Sequence, residues 1–318
     1  MKSFWPFITQ AGLNLTSLLF LFCIIMVYLL FSMGKFYHNF GYVALSKVII
    51  SRSNLAIIDK KTSFQKAENF FVLGEQLGTA TRGRAYFLMG ITYQKQRDYE
   101  NAFRVYHAAT DLEFIPTDWK GETQLYYELG WLYDHYLADR RAAEDAYKMA
   151  SKIADVPYNK GEIGNLLKNG GFEYPGLYWG LSSPSGAKTF FDDIDARSGS
   201  QSLQVHFDGT QDLNYYHAVT FLPVEFCTAY NLTVYIKTLN LDNGGIAVEV
   251  YDAERGYEHW SGGSTNLLSG TNDWTKTTLN FVSGVDTNTL KVVIRRFGKS
   301  GQLASGTIWV DDLQLIKR

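Results

Sequence analysis

Two cysteines in 318 residues, Cys23 and Cys227, leave the chain without a disulfide framework. No C-x-x-C occurs, which argues against a thiolate zinc site. Excess charge is also missing. The net charge is −2 and the basic residues are scattered singly, so no basic face for nucleic acid is expected. Catalytic signatures are absent too. There is no G-x-S-x-G elbow, and the six histidines form no H-E-x-x-H pair. Gly298-Lys299-Ser300 looks like the tail of a phosphate loop, but Val293 stands where that loop needs glycine. Asp192-Asp193 and Asp311-Asp312 are adjacent pairs. On a strand, neighbours point to opposite faces, so neither pair makes a convergent acid–base couple. The expectation is a non-enzymatic protein.

Charge is missing in one further place. No Asp, Glu, Lys or Arg lies between Ser3 and Gly34. Residues 13–33 give about 20 mostly apolar positions, enough to cross ~30 Å of hydrocarbon as a helix. The rival, a cleaved signal peptide, needs a shorter apolar region and a small-residue cleavage site; Ser32-Met33-Gly34 matches that poorly. The expectation is a single-pass anchor within residues 1–34. Lys2 and the amino terminus lie before the span; Lys35, Lys47 and Arg52 follow it, so charge leaves orientation near a tie. Placing the soluble domains outside the cytoplasm rests on the function argued below.

What the chain has in quantity is aromatic side chains: 21 Tyr, 21 Phe and 7 Trp. Most are expected to fill cores. Residues 35–59 have an untidy helical pattern and read as a connector. In 60–157 two stretches are similar. One is Tyr86-x-x-Met89-Gly90-x-x-Tyr93, then Ala102-x-x-x-Tyr106; the other is Tyr126-x-x-Leu129-Gly130-x-x-Tyr133, then Ala143-x-x-x-Tyr147. Glycine and alanine let antiparallel helices approach, and the tyrosines fill the gap. This spacing resembles the tetratricopeptide repeat, with a longer period and a half-visible third unit at Ala67 and Phe71. The resemblance implies a face for a protein partner. So few repeats bury little core, so an open end should be covered by the preceding helix, the following domain or a partner.

From residue 162 onward, alternation and turn signals replace helical periodicity. Leu232, Val234 and Ile236 alternate with polar neighbours, Asp242-Asn243-Gly244-Gly245 reads as a hairpin turn, and Ile246, Val248 and Val250 read as its return strand. Further strands are expected at 202–207, 215–222, 277–281, 290–296 and 307–316, giving an antiparallel β-sandwich. The run Asn165 to Glu173, Arg197-Ser198-Gly199-Ser200-Gln201-Ser202-Leu203, Asn272-Asp273-Trp274-Thr275 and Gly306 to Leu313 occur in the order of the galactose-binding-like jelly rolls. They resemble in particular the family 4/9 carbohydrate-binding modules.

That resemblance implies a polysaccharide or oligosaccharide ligand, and a structural calcium held by Glu173 and Asp311 with backbone carbonyls near Ser198 and Gly199. Sugar rings lie on flat aromatics, and their hydroxyls need polar side chains. The candidates are Trp260, Tyr257, Tyr215, Tyr216, Tyr178 and Arg296, with Gln211, Asn214 and Glu249 as polar company. The chain thus reads as multidomain α plus β: membrane helix, short α-hairpin repeat and sandwich (162–318). The expected role is a membrane-anchored glycan-binding scaffold of a bacterial envelope or exopolysaccharide system. The alternatives are a protein-interaction scaffold with no glycan ligand and an accessory subunit of a glycoside hydrolase.

Overall fold

The computed structural model describes Asn69 and residues 82–112 and 119–318. The expected span at 13–33, the connector 35–59 and the half-visible third repeat unit lie outside the described residues. Among the described residues no helix is long and apolar enough to cross a membrane. The chain divides into two compact units, Met1–Gly121 and Glu122–Arg318.

In the first unit, α1 (Arg82–Lys95) and α2 (Tyr99–Thr110) form a helical hairpin. Arg97 takes a left-handed conformation at the turn. Asp98 then caps α2 by accepting from the Asn101 N–H at 3.2 Å, which satisfies one of the amides a helix start leaves unpaired. The Tyr106 ring lies against Gly90, where a Cβ would sit 2.2 Å from it.

The same device recurs in the second unit. The hairpin of α3 (Trp119–His135) and α4 (Arg140–Ala154) has left-handed Ala138 at its turn and Asp139 as the cap of α4, 3.0 Å from the Ala142 N–H. Tyr147 lies against Gly130, with a Cβ there 2.7 Å from its ring. Ala102 and Ala143 are both fully buried. In both hairpins, glycine and alanine bring the helices together and one tyrosine fills the gap, as the spacing implies.

A 3-10 turn (Lys160–Glu162) leads from α4 into nine strands: β1 (Gly180–Leu181), β2 (Ala187–Asp192), β3 (Ser202–Asp208), β4 (Tyr216–Pro223), β5 (Ala229–Asp252), β6 (Gly256–Ser264), β7 (Leu268–Val282), β8 (Thr289–Gly298) and β9 (Ser305–Lys317). All pairings are antiparallel. One layer runs β2–β3–β9–β5–β7 and the other β1–β4–β8–β5–β6. The long β5 belongs to both. Its first half pairs with β7 and β9, and its second half, from Gly244, pairs with β8 and β6.

This corrects the hairpin expected at Asp242–Gly245. The two halves of β5 do not pair with each other. Asn243 (φ 53°) and Gly244 (φ 141°) supply positive φ, but the chain uses it to turn a corner from one layer into the other. A side chain at Gly244 would meet the Phe297 carbonyl at 2.1 Å, so the close approach of β8 demands glycine there. Between the layers, Val205, Phe207, Val234, Ile236, Val248, Val250, Val292, Ile294, Ile308 and Val310 are buried in one apolar core.

The Asn165–Glu173 run clamps the start of the sandwich to its last strand. Asn165 donates to the Leu313 carbonyl at 2.8 Å and accepts from the Leu315 N–H at 2.9 Å. Gly170 packs so closely on Leu313 that a Cβ would lie 2.0 Å from its oxygen. The α3–α4 hairpin rests on this clamp. Lys168 pairs with Glu128 and sits 4.8 Å over the Trp131 ring, Ser151 Oγ bonds the Tyr174 hydroxyl at 2.8 Å, and Tyr127 packs on Tyr174 and Tyr178. The second hairpin is therefore covered by the β-domain that follows it.

Candidate functional site

Strand register sorts the side chains of the β4–β8–β5 layer. Leu290, Val292, Ile294 and Arg296 of β8 face the core, so by the period of two Lys291, Val293 and Arg295 lie on the outer face, where Lys291 and Arg295 are part-exposed and Val293 between them is fully buried. Directly paired residues share a face, which builds three outward rows across the strands. The first is Phe221–Lys291–Tyr251–Ser261, the second Val219–Val293–Glu249–Ser264, and the third Tyr216–Arg295–Ala247. A bulge at His217 brings Tyr216 into the third row: Tyr216 pairs with Arg295, Ala218 pairs with Ile294, and His217 has no partner position. The His217 ring turns inward instead, edge-on to Phe207 at 5.1 Å, and burial lowers its pKa to about 4.

The face is aromatic and polar at once. Tyr215 stacks on Tyr216 with ring centroids 4.6 Å apart. Tyr257 meets Tyr251 edge-on at 6.1 Å. Phe221 is 57% exposed, Tyr257 51% and Tyr215 37%. Between these rings lie two cations. Lys291 Nζ sits 4.6 Å from the Tyr216 centroid and 5.3 Å from that of Tyr251. Arg295 is held by Glu249 at 3.3 Å and by Asn214 at 3.2 Å. Flat rings beside fixed donors and acceptors suit a ligand with apolar C–H faces and hydroxyl rims.

Of the six residues chosen from the sequence, Tyr215, Tyr216 and Tyr257 come together on this face. Tyr178 lies beneath α3, its ring centroid 5.0 Å from that of Tyr127. Trp260 packs inward on Phe281 at 5.9 Å and beside Gly284, where a Cβ would lie 3.0 Å from the indole. Arg296 is fully buried under the face, over Phe207 at 5.1 Å, and donates to the carbonyls of Asp242 (2.6 Å) and Asn243 (3.2 Å). Sequence reading missed Phe221, Tyr251, Lys291 and Arg295. The signal for Arg295 was present in the alternation of β8, which sends Arg296 inward and its neighbour outward.

Glu173 and Asp311 are both fully buried, one on each side of the 197–200 loop. Glu173 accepts from the Ser200 N–H (3.0 Å) and Oγ (2.7 Å). Asp311 accepts from the N–H groups of Arg197 (2.9 Å) and Ser198 (3.2 Å). Burial raises both pKa values, that of Asp311 to about 8, with the Asp312 charge adding to the effect. Among the described residues no three His, Cys, Asp or Glu converge as metal ligands, so a cation here would need backbone oxygens as well.

On the other layer a polar cleft of about 280 Å³ is lined by Asn159, Glu162, Arg197, Tyr235, Lys276 and Gln314, among others. Its Arg197 guanidinium lies 3.4 Å from the Tyr235 centroid and pairs with Asp312.

No family model matches the chain. Over 160 residues it is 29% identical to the tRNA nuclease WapA of Bacillus subtilis, covering 48% of this chain and 7% of that protein. The tRNA3(Ser)-specific nuclease WapA of Bacillus spizizenii is likewise 29% identical over 160 residues, with the same coverage. The chain thus spans about 7% of the length of the curated relatives it matches. Similar solved structures include a CBM4 carbohydrate-binding module, 14% identical over 48% of this chain and 99% of that one, TM-score 0.36. A family 22 carbohydrate-binding module of Clostridium thermocellum is 16% identical over 47% of this chain and 94% of that one, TM-score 0.35. A putative sugar-binding protein from Bacteroides thetaiotaomicron is 14% identical over 48% of this chain and 100% of that one, TM-score 0.37.

Proposed function

We propose that the β-domain is a non-enzymatic glycan-binding module whose ligand lies across the outer face of β4, β8 and β5. One observation carries this reading. Phe221, Tyr216, Tyr251 and Tyr257 surround a patch that already holds Arg295, Glu249 and Lys291 in place. The apolar C–H face of a sugar ring buried on such rings is removed from water, and the flat ring surface fixes its orientation. The motif order from Asn165 to Leu313, which resembles the family 4/9 carbohydrate-binding modules, points the same way.

The remaining parts extend the reading. The charge-free run at 13–33 is proposed as a single-pass membrane anchor with the following domains outside the cytoplasm. The paired hairpins are proposed as tetratricopeptide-like units that recruit a protein. Together they make an anchored scaffold that holds a glycan, or a glycan-handling assembly, at a cell envelope. Calcium is proposed between Glu173 and Asp311. Burial disfavours the ionised form of both carboxylates, and a bound cation would offset that by pairing with them once ionised; carbonyls of the 197–200 loop would supply further oxygens. Its role there is structural: it ties the loop to the closing strand. A calorimetric melt with and without calcium tests this, and an unchanged melting temperature removes the ion.

The test of the main reading is a glycan array probed with the purified protein, followed by Tyr216→Ala and Tyr251→Ala. Each substitution is expected to weaken binding about tenfold with the melting temperature little changed. A blank array favours the protein-scaffold reading.

A further inference from the structure

From the charges on this face, we infer that the ligand is an anionic polysaccharide, one bearing carboxylate or sulfate groups. The inference rests on the glycan reading and narrows it. The three outward rows carry two cations, Lys291 and Arg295, and one carboxylate, Glu249. Glu249 is nearly buried, and its partner is Arg295. The pair neutralises itself and leaves Lys291 as the uncompensated charge.

Lys291 sits in the first of these rows. Its row neighbours are Phe221 on one side and Tyr251 on the other, and its ammonium lies over the rings of Tyr216 and Tyr251. It makes no ion pair among the described residues. The rings position the ammonium but give its N–H groups no oxygen acceptor. A strongly hydrated point charge placed between stacking surfaces would meet a sugar's exocyclic substituent while the ring lies on tyrosine. A neutral glycan would have to dehydrate that ammonium in exchange for hydroxyl oxygens alone. A carboxylate or sulfate oxygen adds the attraction of an opposite charge to that hydrogen bond, so both partners are ionised.

Two matched polymer pairs test the idea. Polygalacturonate is compared with fully methyl-esterified pectin, which has the same backbone with its carboxylates capped. Dextran sulfate is compared with dextran. Binding to the full-length protein is measured by calorimetry at low and high salt. We expect at least one charged polymer to bind about tenfold tighter than its neutral counterpart, with the preference shrinking as salt rises. The pair that discriminates tells carboxylate from sulfate.

Lys291→Met keeps the apolar stem against both tyrosines and is expected to abolish the preference, bringing the charged polymer's affinity down to that of its neutral counterpart. Lys188→Met on β2, in the other layer, removes the same charge away from the face and is expected to leave the preference intact. Equal binding within both pairs, or a preference that survives Lys291→Met, overturns the inference while the glycan reading stands. If none of the four polymers binds, both readings fall.

Discussion

The hydroxyl of Tyr127 donates to the Glu162 carboxylate and accepts from the Asn169 N–H at 2.6 Å. Tyr127 belongs to α3, and Glu162 and Asn169 belong to the segment that opens the β-domain. One phenol thus joins helix to sandwich, with all three groups buried. Tyr127→Phe would leave the Asn169 N–H and the carboxylate each without this partner. The expected cost is roughly 1–3 kcal/mol, because buried polar groups left unpaired forfeit their solvation. Urea denaturation measures it. A loss under about 0.5 kcal/mol would mean the hydroxyl is dispensable.

The same pair sets a pH dependence. Burial raises Glu162 to about 8, well above its ordinary value of 4.5. The folded state therefore holds a proton that the unfolded state releases above about 4.5. This contribution to stability is complete at low pH, declines as pH rises from about 4.5, and is gone above about 8. Glu162→Gln is expected to flatten part of that slope in melts taken across the range. Asp311, also raised to about 8, contributes in the same direction, so some slope remains. An unaltered profile in the variant would exclude Glu162 as its source.

In the helical hairpins the tight positions are Gly90 and Gly130. A methyl group at Gly130 would fall 2.7 Å from the buried Tyr147 ring, and one at Gly90 would fall 2.2 Å from Tyr106. Alanine favours a helix by up to about 1 kcal/mol over glycine, but overpacking costs about 1–3 kcal/mol. Both Gly→Ala variants are expected to melt lower, and a stabilised variant at either position would show that the helices separate easily.

Trp260→Ala separates packing from binding. The indole lies on Phe281 and against Gly284 rather than over the aromatic face. The indole is partly buried, and its removal is expected to cost up to about 3 kcal/mol of stability. The folded fraction should keep its glycan affinity, whereas Tyr251→Ala should lose affinity and keep stability. The opposite pattern in calorimetry would put the tryptophan back among the ligand contacts.

Local patterns set out much of the architecture. Tyr86–Tyr106 and Tyr126–Tyr147 read as helical hairpins because the 3.6-residue period and the small-residue positions are properties of neighbouring residues. Strands β3, β4, β8 and β9 were legible because alternation reports a buried face without naming the partner strand. The alternation of β8 even separates Arg295 from Arg296.

Long-range pairing decided the rest. Asn243-Gly244 supplies positive φ in either a hairpin or a corner; the corner prevails because the second half of β5 pairs with β8, about 50 residues away along the chain. The bulge at His217 depends on how β4 meets β8, and it alone brings Tyr216 beside Arg295. The aromatic face therefore comes from register between strands distant in sequence, which no local pattern encodes, while the residue types that occupy it were written in the chain from the start.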